Sequence, residues 1–113
     1  MRLRPQKSRI TCDDYISYIV MENLKLLSGF FQAIDNDFRI STTHIAIFAA
    51  LLEFRANRDF INPIQAYSIE IQKIAKIMSP KTYHKCMREL HEYGYLFYVP
   101  TKNKNRRSSI YFI

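Results

Sequence analysis

Apolar residues recur at helical spacing through most of this chain, then crowd into strand-like runs near its end. Residues 13–34 carry Ile16, Ile19, Leu24, Leu27, Phe31 and Ile34 on one side, against Asp14, Ser17, Glu22, Lys25, Ser28, Gln32 and Asp35 on the other, which predicts an amphipathic helix. Val20, Met21, Leu26 and Phe30 widen its apolar sector beyond the usual stripe of about 100°. Such width suits either deep burial or a helix that meets its own domain on one side and a second chain on the other.

A second helix is expected from Ser41, a good N-cap, to about Arg55, with Ile45, Phe48, Leu51 and Leu52 inward. Pro63 forbids helix in "NRDFINPIQAYS" (57–68), which reads as a loop with a short extended piece. Ser68 then caps a third helix, 69–77, whose inward set is Ile71, Ile74, Ala75 and Met78. After a short turn, Ser79 caps a fourth helix that carries Pro80 at its first position, where the missing N–H is not needed. Tyr83, Met87 and Leu90 supply its core face, and Gly94 stands where a left-handed terminating residue is wanted. "YLFYV" (95–99) and "SIYFI" (109–113) are dense in β-formers and flank a polar stretch, so they predict a hairpin. That stretch has no glycine, which leaves Asn103 or Asn105 for any positive-φ position. The expected fold is mainly α with a small β-hairpin (α+β), in one domain, 13–113, behind a basic arm, 1–12.

Hydrophobic residues make up 48% of the 113, enough for a core and too many for a disordered tail. The formal net charge is +7, and its division along the chain says more than its sum. Residues 1–9 contribute +4 through Arg2, Arg4, Lys7 and Arg9, residues 10–72 contribute −4, and residues 73–113 contribute +7. Basic ends around a mildly acidic middle are the footprint of a site for an acidic partner.

Lys81, Lys85 and Arg88 are spaced four and three apart, so they share one side of the fourth helix, with His84 beside them. A helix with an apolar back and a basic outer face fits the major groove of B-DNA. Lys102, Lys104, Arg106 and Arg107 on the hairpin loop would stand over one phosphate backbone, and Lys73 and Lys76 over the other. The stretch "SIEIQKIAKIMSPKTYHKCMRELHEYGYL" runs from an apolar helix through a Ser-started basic helix ending in Leu-x-x-x-Gly-aromatic to a strand. In this, residues 41–113 resemble the winged helix-turn-helix domains of bacterial regulators and of DnaD-like or plasmid-type replication proteins. The resemblance implies DNA contacts at Ser79, Lys81, Thr82, Lys85 and Arg88. The long first helix is similar to the dimerisation helix of MarR-type regulators, which implies a homodimer. The turn departs from the family habit, reading Ile77-Met78-Ser79 where a glycine is often found.

Other chemistries find little footing. The longest apolar run, residues 45–52, falls far short of the roughly 20 residues that span a bilayer. Asp13, Asp14 and Glu22 interrupt what would be the apolar region of a signal peptide. Cys12 and Cys86 form no Cys-x-x-Cys, as expected of idle thiols in a reducing cytoplasm. His84 and His91 are separated by roughly 10 Å of helical rise, too far to share a metal with Cys86 between them. "DNDFRI" (35–40) lacks the third ligand and the glycine of a calcium loop. Two distant glycines exclude a nucleophile elbow and a phosphate-cradling loop, so no enzyme, cofactor, metal or small-molecule effector is expected. Tyr95, Phe97, Tyr98, Tyr111 and Phe112 suit strands packed on helices better than a platform for single-stranded bases. The expected function is sequence-selective binding of double-stranded DNA, as a transcriptional regulator. The alternatives are a mobile-element or plasmid accessory protein of excision or replication, or a winged helix used only as a protein-interaction module.

Overall fold

A computed structural model describes residues 12–101 and 106–112, with side chains from Met21 onward. Its elements are α1 (Cys12–Ala33), α2 (Thr42–Ala56), β1 (Ile64–Ala66), α3 (Ser68–Ala75), α4 (Pro80–Glu92), β2 (Leu96–Val99) and β3 (Ser108–Phe112). The basic arm to residue 11, the loop residues Lys102, Asn103, Lys104 and Asn105, and the side chains of Ile16, Ile19 and Val20 lie outside that description.

Helix α2 is the centre of the molecule. Ile47, Phe48, Ala50, Leu51, Leu52 and Phe54 are all buried, and a helix apolar on nearly every side belongs inside. It packs on α1, α3 and α4. Phe30 of α1 stacks on Phe48 at 4.0 Å between centroids, and Tyr95 and Phe112 meet this pair edge-on. Asn23 adds a polar tie, donating to the Leu52 carbonyl and accepting from Arg55.

The inward face of α1 differs from the expected one. Leu26, Leu27, Phe30 and Ile34 face the core, whereas Leu24 and Phe31, expected inside, are 63% and 46% exposed beside Met21. The helix carries two overlapping apolar stripes, and α2 takes the one that brings Phe30 against Phe48. Helix α3 also departs from its reading. Tyr67, not Ser68, precedes it as the cap, because Glu70 reaches back to accept from the Tyr67 N–H at 2.9 Å. The helix ends at Ala75, and Lys76 turns left-handed at φ 62°. That early stop takes Met78 off the helical phase, leaving it 95% exposed, and Ile74 is exposed at 37%. Gln72 is buried instead, beside Ile71.

The β-structure is larger than a hairpin. Strand β3 lies between β1 and β2 in a three-stranded antiparallel sheet of order β1-β3-β2. Ile64 faces Ile110 on one side, and Tyr98 faces Ile110 on the other. Asn62 extends the first pairing with its side chain, accepting from the Phe112 N–H and donating to its carbonyl. Among the described residues, no helix is long and apolar enough to cross a membrane.

Candidate nucleic-acid interface

Helix α4 is fixed at both ends by local sequence. Ser79 accepts from the Thr82 N–H at 3.2 Å, and Pro80 opens the first turn. At the far end Gly94 adopts φ 86°, its N–H donating to the His91 carbonyl while the Tyr95 N–H donates to that of Leu90. This double closure is a Schellman motif, and it sends the chain directly into β2.

Between those ends the helix has two unlike faces. Tyr83, Cys86, Met87 and Leu90 are buried, and burial raises the Tyr83 phenol well above its ordinary range. Lys81, Lys85, Arg88 and Glu92 are exposed, and their spacing of four, three and four sets them opposite that core face. Three cations therefore lead the stripe and one carboxylate closes it. Thr82 is exposed and His84 half-buried, with its ring edge-on to Tyr83 at 5.2 Å.

Strand β2 docks along the flank of α4 that carries His84, Arg88 and His91. The Tyr98 N–H donates to His91 Nδ1 at 3.0 Å. Burial raises the pKa of the Tyr98 phenol, against the opposing pull of its hydrogen bond to Ser108 and of the nearby Arg88 charge. The loop joining β2 to β3 begins just beyond Val99, at the end of the strand that Tyr98 ties to α4. Within it Arg106 and Arg107 are both exposed, and Arg107 also has partners within the fold. Arg107 lies 3.8 Å from Glu70 and over the Tyr67 ring at 4.8 Å. Of the two α3 candidates, Lys73 and Lys76 are both exposed. Lys102 and Lys104 lie outside the described residues.

A second constellation lies beneath α4 and joins it to α2. His44 is buried, its Nδ1 accepting from the Ser41 N–H at 2.9 Å and its Nε2 bonded to Glu89 Oε1 at 3.0 Å. Since Nδ1 is an acceptor there, Nε2 carries the proton and donates it. Cys86 stands beside this pair with its thiol pushed up by burial and by the Glu89 carboxylate. Residue spacing pairs Cys86 only with His84 and His91 on its own helix. The partner from α2 carried no signal in the sequence, because it is 45 positions from Glu89. Another cluster closes the α1–α2 connection, where Asp37 takes three hydrogen bonds from Arg39 and one from the Tyr95 hydroxyl. The Arg39 guanidinium also covers the Tyr93 ring at 4.0 Å. No protein-family model, curated protein or solved structure matches the chain.

Proposed function

We propose that this is a winged helix-turn-helix protein that binds double-stranded DNA with sequence selectivity, as a homodimeric transcriptional regulator. In this reading α3 and α4 form the helix-turn-helix, α4 enters the major groove, and the β2–β3 hairpin is the wing. One observation carries it: the basic stripe Lys81, Lys85 and Arg88 stands on the side of α4 opposite its buried face. A rigid back and a basic front are what groove entry demands. Two further features agree with it. Strand β2 docks beside α4 with the Tyr98 N–H on His91 Nδ1, so that a wing would flank the groove-facing helix, and Glu92 sits at the end of the stripe farthest from the leading turns. Homodimerisation rests on the outward stripe of α1, where Met21, Leu24 and Phe31 are exposed.

Duplex binding measured across a salt series tests the proposal. Neutralising about six phosphates per subunit gives a slope of log K against log salt near −5, and selection from a random duplex pool yields a palindrome. A chain that ignores heparin, and whose binding to duplex has no salt dependence, is a protein-interaction module instead.

A further inference from the structure

The strongest unassigned chemistry lies where α2 crosses α4. A His44 ring nitrogen, Cys86 Sγ and a Glu89 carboxylate oxygen lie within 4.8 Å of one another, and Nε2 is the nitrogen that stands 3.0 Å from Glu89 Oε1. Nitrogen, thiolate sulfur and carboxylate oxygen are the donor types of zinc, which prefers four ligands in a tetrahedron. We infer that these three side chains form a binding site for a divalent cation of the zinc class, with water in the fourth position. The inference stands apart from DNA binding, since none of the three residues belongs to the proposed DNA contacts.

Geometry is the first support. Zinc–ligand bonds of about 2.0–2.3 Å put tetrahedral ligands roughly 3.5 Å apart. The widest pair must therefore close by roughly 1 Å, a side-chain adjustment that leaves both helices in place. Burial is the second. His44 and Cys86 are 3% and 6% exposed, while the Glu89 side chain keeps 26% of its surface open. Two ligands are thus held in the interior, and the third reaches the surface, where a fourth ligand can be water.

The surroundings of the ligands are the third support, because ligating groups need outer partners to orient them. The Tyr93 hydroxyl donates to Glu89 Oε2 at 3.3 Å, which leaves Oε1 for the ion. Ser41 Oγ stands 2.8 Å from His44 Nδ1, where it can accept a hydrogen bond from that nitrogen once Nδ1 carries the ring proton. Binding then balances as follows. His44 gives up the Nε2 proton and takes one at Nδ1, the Cys86 thiol loses its proton to solvent, and Glu89 binds as the carboxylate. One proton leaves in all. The Ser41 N–H loses its acceptor on the ring in that tautomer, a cost that the metal bonds must exceed. One thiolate and one carboxylate cancel the double charge of the cation, so the filled site is neutral, and neutrality removes most of the cost of burying an ion.

Cobalt(II) is the probe, used on the full chain with Cys12 changed to Ser so that any thiolate signal belongs to Cys86. One equivalent is expected to produce a thiolate-to-cobalt charge-transfer band with tetrahedral d–d absorption, and one equivalent of zinc to bleach both. Glu89→Gln, on the most exposed ligand, should weaken binding at least tenfold while circular dichroism stays unchanged. Cys86→Ala should abolish the charge-transfer band. If Cys86→Ala does not fold, slower alkylation of Cys86 in the parent chain once zinc is added reports the same contact. Absence of a charge-transfer band at one equivalent, or a band that Glu89→Gln leaves at full affinity, overturns the site. In that event the cluster is a hydrogen-bonded strut between two helices.

Discussion

Lys76 and Gly94 end neighbouring helices in the same left-handed region, at φ 62° and 86°. Each is followed by a residue whose N–H reaches back to the last helical turn, Ile77 to Gln72 and Tyr95 to Leu90. Glycine holds that conformation freely, whereas a Cβ there is crowded by the following carbonyl. Lys76→Gly should therefore raise stability by about 1 kcal/mol, read by chemical denaturation. If Lys76 meets phosphate, the same variant binds duplex more weakly and with a shallower salt slope, so stability and affinity move in opposite directions. Side-chain identity divides the arginines in a similar way. Arg88→Ala should lower affinity for a selected site far more than for random duplex, since an Arg forked on guanine discriminates by about 1–3 kcal/mol. Arg106→Ala should weaken both about equally, because phosphate carries no base identity. Competition binding on the two duplexes checks this, and equal losses from Arg88→Ala would place that residue on the backbone. Arg107 is a poorer choice for such a test, since its contacts with Glu70 and Tyr67 belong to the fold.

At the scale of elements, legibility followed how local the cause was. Helix α4 was readable to its ends because Ser79, Pro80 and Gly94 act on backbone a few residues away. The inward face of α1 was not, since choosing between its two apolar stripes needs Phe48. Likewise, the end of α3 is set by the turn at Lys76, a residue type that does not advertise a left-handed φ. Strand β1 showed only as an extended piece, because its partner β3 lies more than forty residues on. The α1–α2 connection was legible as a turn, though not its chemistry. Hydrogen bonds from Arg39 first, and from Tyr95 next, hold the Asp37 carboxyl well below its usual range. A depressed native pKa gives stability that is present above the unfolded value and lost as pH falls through the folded one. Asp37→Asn should therefore be less stable than the parent at neutral pH. The gap should narrow as pH drops below about 4, where the unfolded carboxylate takes its proton. Unfolding midpoints of both chains against pH measure it, and a constant gap would mean that Asp37 contributes no titrating interaction.

For the whole molecule, the charge division was the clearest signal, since it depends on composition along the chain and not on packing. The exposed Met21, Leu24 and Phe31 extend that reading to assembly. Met21→Glu should give a monomer with weaker duplex binding but an unchanged fold, because Met21 is 59% exposed. Sedimentation at micromolar concentration decides, and an unmodified chain that sediments as a monomer removes the dimer from the proposal. The strand order has a consequence of another kind, for biosynthesis. Strand β3 lies between β1 and β2 and is the last of the three in the chain. While a ribosome is still delivering residues before Ser108, β1 and β2 have no partner, and a nascent chain exposes two strands with open hydrogen-bonding edges. The four helices all precede β2 and β3 and can collapse around α2, leaving Ile64 and Leu96 waiting for Ile110 and Phe112 to pair with them. Synthesis stalled in that window would hold the chain at its most adhesive, and five late residues end it.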